Sequence, residues 1–159
     1  MGANFTINNF SVVVPIHNEE EILLDSSQKI FDICSKTKLD FEIIFSENGS
    51  TDKTLSLIKD FSSKRPECKV VSNDIPNYGT ALKNGFKEAK NEMIISFDID
   101  YFSEQFLIES LSLEKKFSAI TASKRISGSQ DGRKIIRRIA TNFFVLILKI
   151  LFQTSMSDT

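Results

Sequence analysis

Short apolar runs alternate along this chain with stretches of helical periodicity, and that alternation constrains the fold more than any other feature. Phe10-Ser-Val-Val-Val-Pro15 is β-branched, compact and stopped by proline, which reads as a buried strand. Asn18 then stands as a helix N-cap, with Glu19, Glu20 and Glu21 in the first turn and Ile22, Leu23, Ile30 and Ile33 as an apolar stripe. The unit recurs. Phe41–Phe45 is a second strand, followed by a helix capped by Ser50 or Thr51 with Leu55, Ile58 and Phe61 on its inner face. Lys69–Ser72 is a third strand, Ala81–Lys90 a third helix, and Glu92–Phe97 a fourth strand. Leu107, Leu111 and Leu113 mark another helix, and Ala119–Ser123 another strand. Strands alternating with helices predict βαβ units and an α/β fold with a mostly parallel sheet flanked by helices.

In such sheets ligands bind beyond the carboxyl ends of the strands, which selects the loops after Pro15, Phe45, Ser72, Phe97 and Ser123. The loop after the fourth strand opens with Asp98-Ile99-Asp100. On an extended chain, alternate residues point the same way, so both carboxylates can converge on one cation. Magnesium and manganese take oxygen ligands and are commonly held by one or two carboxylates plus substrate phosphates. A second reading makes the acids a solvated turn that caps a helix beginning near Ser103. The cluster Gly49-Ser50-Thr51-Asp52 is open in the same way, between a tight turn leading into a capped helix and a ligand loop. Gly85, inside a helix, predicts close packing.

Four segments in order carry a resemblance: Val12–Glu20, Ser46–Thr54, Asn77–Gly85 and Phe97–Asp100. They resemble the family 2 glycosyltransferases, and within them the dolichyl- or polyprenyl-phosphate sugar transferases. The likeness runs from about Phe10 to Thr159. It implies a GT-A-like sheet that binds a nucleotide-diphosphate sugar, a GDP- or UDP-hexose, with Mg2+ or Mn2+ on Asp98 and Asp100 as the catalytic carboxylates. Pro15, His17, Asn18 and Glu19 would border the base and ribose, with His17 where relatives often carry an aromatic residue. Glu47 and Asn48 fall where many relatives have two consecutive acids, and one carboxylate remains to accept from a ribose or base. Asn77 and Gly79 would complete the donor site, the glycine allowing close approach of the backbone. Some relatives have a third metal ligand two residues beyond the second aspartate. That position is Phe102 in this chain, so metal affinity without the donor is expected to be weak.

Net charge is −1, so no global basic field points to nucleic acid. Local charge is more informative. Between Lys124 and Arg138 lie six cations and one acid, Asp131. Arg133, Lys134, Arg137, Arg138 and Thr141 share one helix face, and the apolar run Phe143–Phe152 follows. Ten residues interrupted by Lys149 are too few to span a bilayer but suit a membrane interface. Relatives hold a lipid phosphate with a basic residue, an arginine and a hydroxyl, and Lys124, Arg125, Arg137 and Thr141 match that pattern. The resemblance therefore implies inverting transfer of a hexose to a polyprenyl phosphate, a lipid-phosphate acceptor met at the membrane surface. Alternatives are a soluble member acting on a glycan hydroxyl, or a non-catalytic nucleotide-sugar-binding module. Residues 1–130 are expected to form the catalytic domain and 131–159 its incomplete acceptor segment. The terminal Ser157-Asp158-Thr159 resembles the start of a further family motif, which implies C-terminal truncation. Cys34 and Cys68 form no metal motif. Together with the absence of a basic, apolar leader in the first ten residues, this predicts a cytoplasmic protein peripheral to the membrane face.

Overall fold

Strand β1 (Asn9–Ile16) buries every residue after Asn9. Its run of three valines suits a strand covered on both faces. The structure, a computed structural model, describes residues 7–113. Strands β2 (Asp40–Asn48), β3 (Cys68–Asn73) and β4 (Ile94–Ser96) complete a sheet of order β3-β2-β1-β4. All of its pairings are parallel. Helices α1 (Leu23–Lys36), α2 (Thr54–Ser63) and α3 (Tyr78–Glu88) make the crossovers, and α4 (Glu104–Ser112) follows β4. The expected α/β class is what the chain forms. From β1 the strands run outward through β2 to β3, and the chain then returns to the other side of β1. That reversal beside β1 is a topological switch point, the place where sheets of this kind bind ligands.

Period-two alternation sorts the two faces. Phe10, Val12, Val14, Ile16, Ile43 and Phe45 share a core with Leu23, Ile30, Ile58, Phe61, Leu107 and Leu111 from α1, α2 and α4. The opposite face takes α3. There Ser46 Oγ donates to the carbonyl of Ala81 at 2.6 Å. Gly85 lies so close to β1 that a Cβ on it would stand 2.4 Å from Val13 Cγ1, which is the close packing expected of it. Arg65 ties the end of α2 to α1. Its guanidinium lies 3.8 Å from the Phe61 ring centroid and 5.4 Å from that of Phe31, and it donates to Phe61 O and Gln28 Oε1. Cys34 and Cys68 are free, and burial pushes both thiols up to about 12.

Three helix starts differ from expectation. Asn18 does not cap α1, which starts at Leu23 without a side-chain cap, because Asn18 takes a left-handed φ of 54° and turns its amide elsewhere. Neither Ser50 nor Thr51 caps α2, whose N-cap is Lys53; ahead of it Asp52 Oδ1 accepts from Thr54 N at 2.9 Å. Helix α3 begins three residues before Ala81, because Asn77 caps it through a bond from Thr80 N at 2.9 Å. The expected strand at 119–123, the basic helix face and the apolar run 143–152 lie outside the described residues.

Candidate functional site

The ends of β1 and β2 are in register, Ile16 opposite Glu47, so their following loops leave the sheet side by side. Side-chain to backbone bonds then lace the two loops together. Asn18 N donates to Ser50 Oγ at 3.0 Å, and Asn18 Oδ1 accepts from Thr51 N at 2.8 Å. Glu19 N donates to Thr54 Oγ1 at 2.8 Å and Glu20 N to Asp52 Oδ2 at 3.2 Å, while Lys53 N donates back to Glu20 Oε2 at 2.9 Å. His17 joins this lattice at 2.9 Å from the Asn48 carbonyl through Nδ1 and at 3.2 Å from Asn18 Nδ2 through Nε2. A carbonyl only accepts, so Nδ1 carries the proton and Nε2 accepts from the amide. Pro15 is buried at the strand end, opposite Ser46.

Glu47 has a different setting from the one its sequence position implied. It is 1% exposed, and its two carboxylate oxygens accept from Ser50 N at 2.5 Å and from Ser72 Oγ at 2.7 Å. Burial acts to push this carboxyl up, but the Ser50 N–H and the Ser72 hydroxyl outweigh it and hold the group below the ordinary glutamate value. Both oxygens are thus engaged in binding the β2 loop to β3. Asn48 is likewise occupied: its Oδ1 accepts from Asn77 N at 2.6 Å, which fixes the corner where α3 begins. Gly49 turns the chain at a φ of 67°, the left-handed region that glycine enters without strain. Gly79 has no such demand. A Cβ there would meet only Asn77 Oδ1 at 3.5 Å among the described residues, so its absence leaves open room at the rim.

The last ladder bond of the fourth strand runs from Phe97 N to Val13 O at 3.1 Å. Beyond it the chain folds back, Tyr101 N donating to Asp98 O at 3.1 Å. Asp98 and Asp100 therefore occupy a turn rather than the extended segment expected. Ile99 between them is 2% exposed and sinks into the core, which leaves both carboxylates in solvent. Asp98 Oδ1 accepts from the Tyr78 hydroxyl at 3.0 Å. Partial burial, then the Asp98 charge and its hydrogen bond, push the Tyr78 phenol up. Across the switch point, burial pushes the Glu19 carboxyl up, with Asp100 and then Asp52 adding to the shift.

The structure thus brings Pro15, His17, Asn18, Glu19, Glu47, Asn48, Asn77, Gly79, Asp98 and Asp100 to one edge of the sheet, while Lys124, Arg125, Arg137 and Thr141 lie outside the described residues. Sequence reasoning did not single out Tyr78, Ser72 or Thr54, whose partners are 20 to 35 residues away in the chain. Among the described residues no group of three or more His, Cys, Asp or Glu converges on a metal position. Phe102 packs against the core. The donor set is two exposed carboxylates, with Glu19 close enough to feel Asp100. Two exposed acids with a third close by is a chemistry that a divalent cation with oxygen ligands from outside the chain would neutralise.

The profile of glycosyl transferase family 2 matches residues 11–155. The undecaprenyl-phosphate 4-deoxy-4-formamido-L-arabinose transferase of Pseudomonas fluorescens (strain Pf0-1) is 30% identical over 160 residues, covering 97% of this chain and 45% of its own. The dolichyl N-acetyl-alpha-D-glucosaminyl phosphate 3-beta-D-2,3-diacetamido-2,3-dideoxy-beta-D-glucuronosyltransferase of Methanococcus voltae is 26% identical over 153 residues, covering 95% of this chain and 46% of its own. Among solved structures, the mannosyltransferase PcManGT from Pyrobaculum calidifontis, in complex with GDP-Man and Mn2+, aligns with a TM-score of 0.55. Its identity is 19%, over 67% of this chain and 32% of that one, a likeness of fold. The chain spans less than half the length of each of these relatives.

Proposed function

The chain belongs to glycosyl transferase family 2, and we propose that it binds a GDP- or UDP-hexose at the switch point beside β1 and passes the hexosyl group, with inversion, to a polyprenyl-type lipid phosphate. One observation carries this reading. The laced β1 and β2 loops, the Asn77 corner and the Asp98–Tyr101 turn meet at the carboxyl ends of adjacent strands. In this reading Asp98 and Asp100 hold Mg2+ or Mn2+, which supplies neutralisation of the negative charge developing on the diphosphate. His17, held by the Asn48 carbonyl, presents its ring at the nucleotide edge. The open space at Gly79 admits ligand close to the backbone. Glu47 acts from beneath, binding no ligand itself but fixing the loop that does.

The acceptor class is supported by the names of the relatives, which specify undecaprenyl and dolichyl phosphate carriers. A phosphate monoester is largely ionised at neutral pH, its second pKa being about 6, so it needs cationic positioning more than a general base. Lys124, Arg125, Arg137 and Thr141 are assigned that task, at the membrane face where the lipid resides. Among the described residues no helix is long and apolar enough to cross a membrane.

Thermal shift with GDP and with UDP, each with and without Mn2+, tests the donor assignment. At a hundredfold excess over Kd a ligand stabilises by about 2.7 kcal/mol. Asp100→Asn is expected to abolish the Mn2+-dependent part, and retention of that part would sink the metal assignment. Arg137→Ala is expected to lose transfer to a polyprenyl phosphate while nucleotide binding stays near wild type. Donor binding without donor consumption, whatever acceptor is supplied, would identify a binding module instead.

A further inference from the structure

We infer that Tyr78 is a positioning residue for Asp98, holding one carboxylate oxygen toward α3 so that the other is presented to a cation. The inference rests on the metal reading above and extends it to a residue outside the carboxylate pair. Tyr78 is 55% exposed, yet its hydroxyl is placed 3.0 Å from Asp98 Oδ1. The backbone beneath it is well anchored. Asn77 caps α3 by accepting from Thr80 N at 2.9 Å, and Asn77 N donates to Asn48 Oδ1 at 2.6 Å at the end of β2. On the other side, the main chain of Asp98 is held by the turn to Tyr101 N. Its side chain, exposed to solvent, would otherwise be free to rotate. The phenol takes one lone pair of Oδ1 and leaves Oδ2 whole.

A metal-binding carboxylate that is itself hydrogen-bonded enters the complex already oriented, and losing such a partner typically costs about 10- to 100-fold in metal affinity. Tyr78 is exposed, so the lower end applies. Tyr78→Phe is expected to weaken Mn2+-dependent binding of GDP or UDP about tenfold, with the metal-free affinity for the same nucleotide unchanged.

A spectroscopic readout separates positioning from a purely structural role. The chain has no tryptophan and two tyrosines, Tyr78 and Tyr101, so tyrosine emission comes from these two residues alone. In a Tyr101→Phe background, Tyr78 is the single tyrosine. A phenol donating to a carboxylate is quenched relative to a free one. Adding Asp98→Ala, which removes the acceptor, is therefore expected to raise emission without a change in melting temperature.

The experiment is titration of the full chain with Mn2+ at fixed GDP, and separately at fixed UDP, for wild type and Tyr78→Phe, followed by the emission measurement. Tenfold weaker Mn2+-dependent binding together with the rise in emission supports the inference. Wild-type Mn2+ dependence that Tyr78→Phe leaves intact overturns it while sparing the metal site. Unchanged emission on Asp98→Ala overturns it also, since the hydrogen bond would not exist in solution. Wild type that binds neither nucleotide in a Mn2+-dependent way overturns the inference and the metal reading together.

Discussion

Gly85→Ala tests whether α3 is seated on the sheet as tightly as the structure requires. The added Cβ would lie 2.4 Å from Val13 Cγ1, more than about 1 Å inside an ordinary carbon contact. Its next neighbours, Ser46 Cβ at 3.5 Å and Val13 Cβ at 3.6 Å, are at normal distances, so the conflict is with one methyl group. Overpacking of this kind costs about 1–3 kcal/mol, and alanine recovers about 1 kcal/mol in helix propensity. The net destabilisation of about 1 kcal/mol, a cost of about 2 less the recovered propensity, would lower Tm by about 2–4 °C in a chain of this size. Calorimetry or chemical denaturation of Gly85→Ala, Val13→Ala and the double variant completes a cycle. Val13→Ala alone leaves a cavity and costs about 2 kcal/mol. In the double variant the new methyl occupies vacated space, so the summed penalties should be undercut by at least about 1 kcal/mol. A Gly85→Ala chain as stable as wild type, or strict additivity in the cycle, would refute the packing account. Because α3 carries Asn77 and Tyr78 at its start, Gly85→Ala should also weaken Mn2+-dependent nucleotide binding.

Glu47→Gln keeps the shape of the buried side chain and removes its charge. The folded-state value lies below the ordinary one, so the ionised carboxylate contributes stability above the ordinary glutamate range and loses it as pH falls through the folded value. The stability gap between wild type and variant should therefore be widest at neutral pH and close on acidification. A denaturation series in which the gap widens with acid would contradict the hydrogen-bond assignment. Arg65→Ala removes the guanidinium from the faces of Phe61 and Phe31 together with its bonds to Phe61 O and Gln28. A loss of about 1–2 kcal/mol is expected by chemical denaturation, with nucleotide binding unaffected.

The parallel sheet was legible because each strand is a short β-branched run bounded by a helix period, and both patterns are local. Gly85 was legible for the same reason: a glycine inside a helix has few uses other than close approach. Asn18 was not. Its residue type and the acids after it describe a helix cap, but its amide is engaged by Thr51, 33 residues away, and that pairing exists only once β1 and β2 lie in register. The resemblance places Glu47 where relatives carry an acid of the donor site, and the structure buries it instead. Its burial depends on Ser72 of β3, which periodicity in β2 cannot reveal. Alternation along an extended strand places Asp98 and Asp100 on one side, but the structure holds them in a turn, both exposed. What exposes them is Ile99, whose burial turns the chain and leaves its neighbours outside.

The lacing between the first two loops has a consequence for anyone who would redesign this rim. Asn18 answers to Ser50 and Thr51, Glu19 to Thr54, and Glu20 to Asp52 and Lys53. Each partner supplies what the other's backbone lacks, so 17–20 and 50–54 behave as a single graftable cassette with two chain crossings. Transplanting one loop from a relative would strand donors and acceptors in the other. Only segments exchanged as a pair would leave the edge of this scaffold intact.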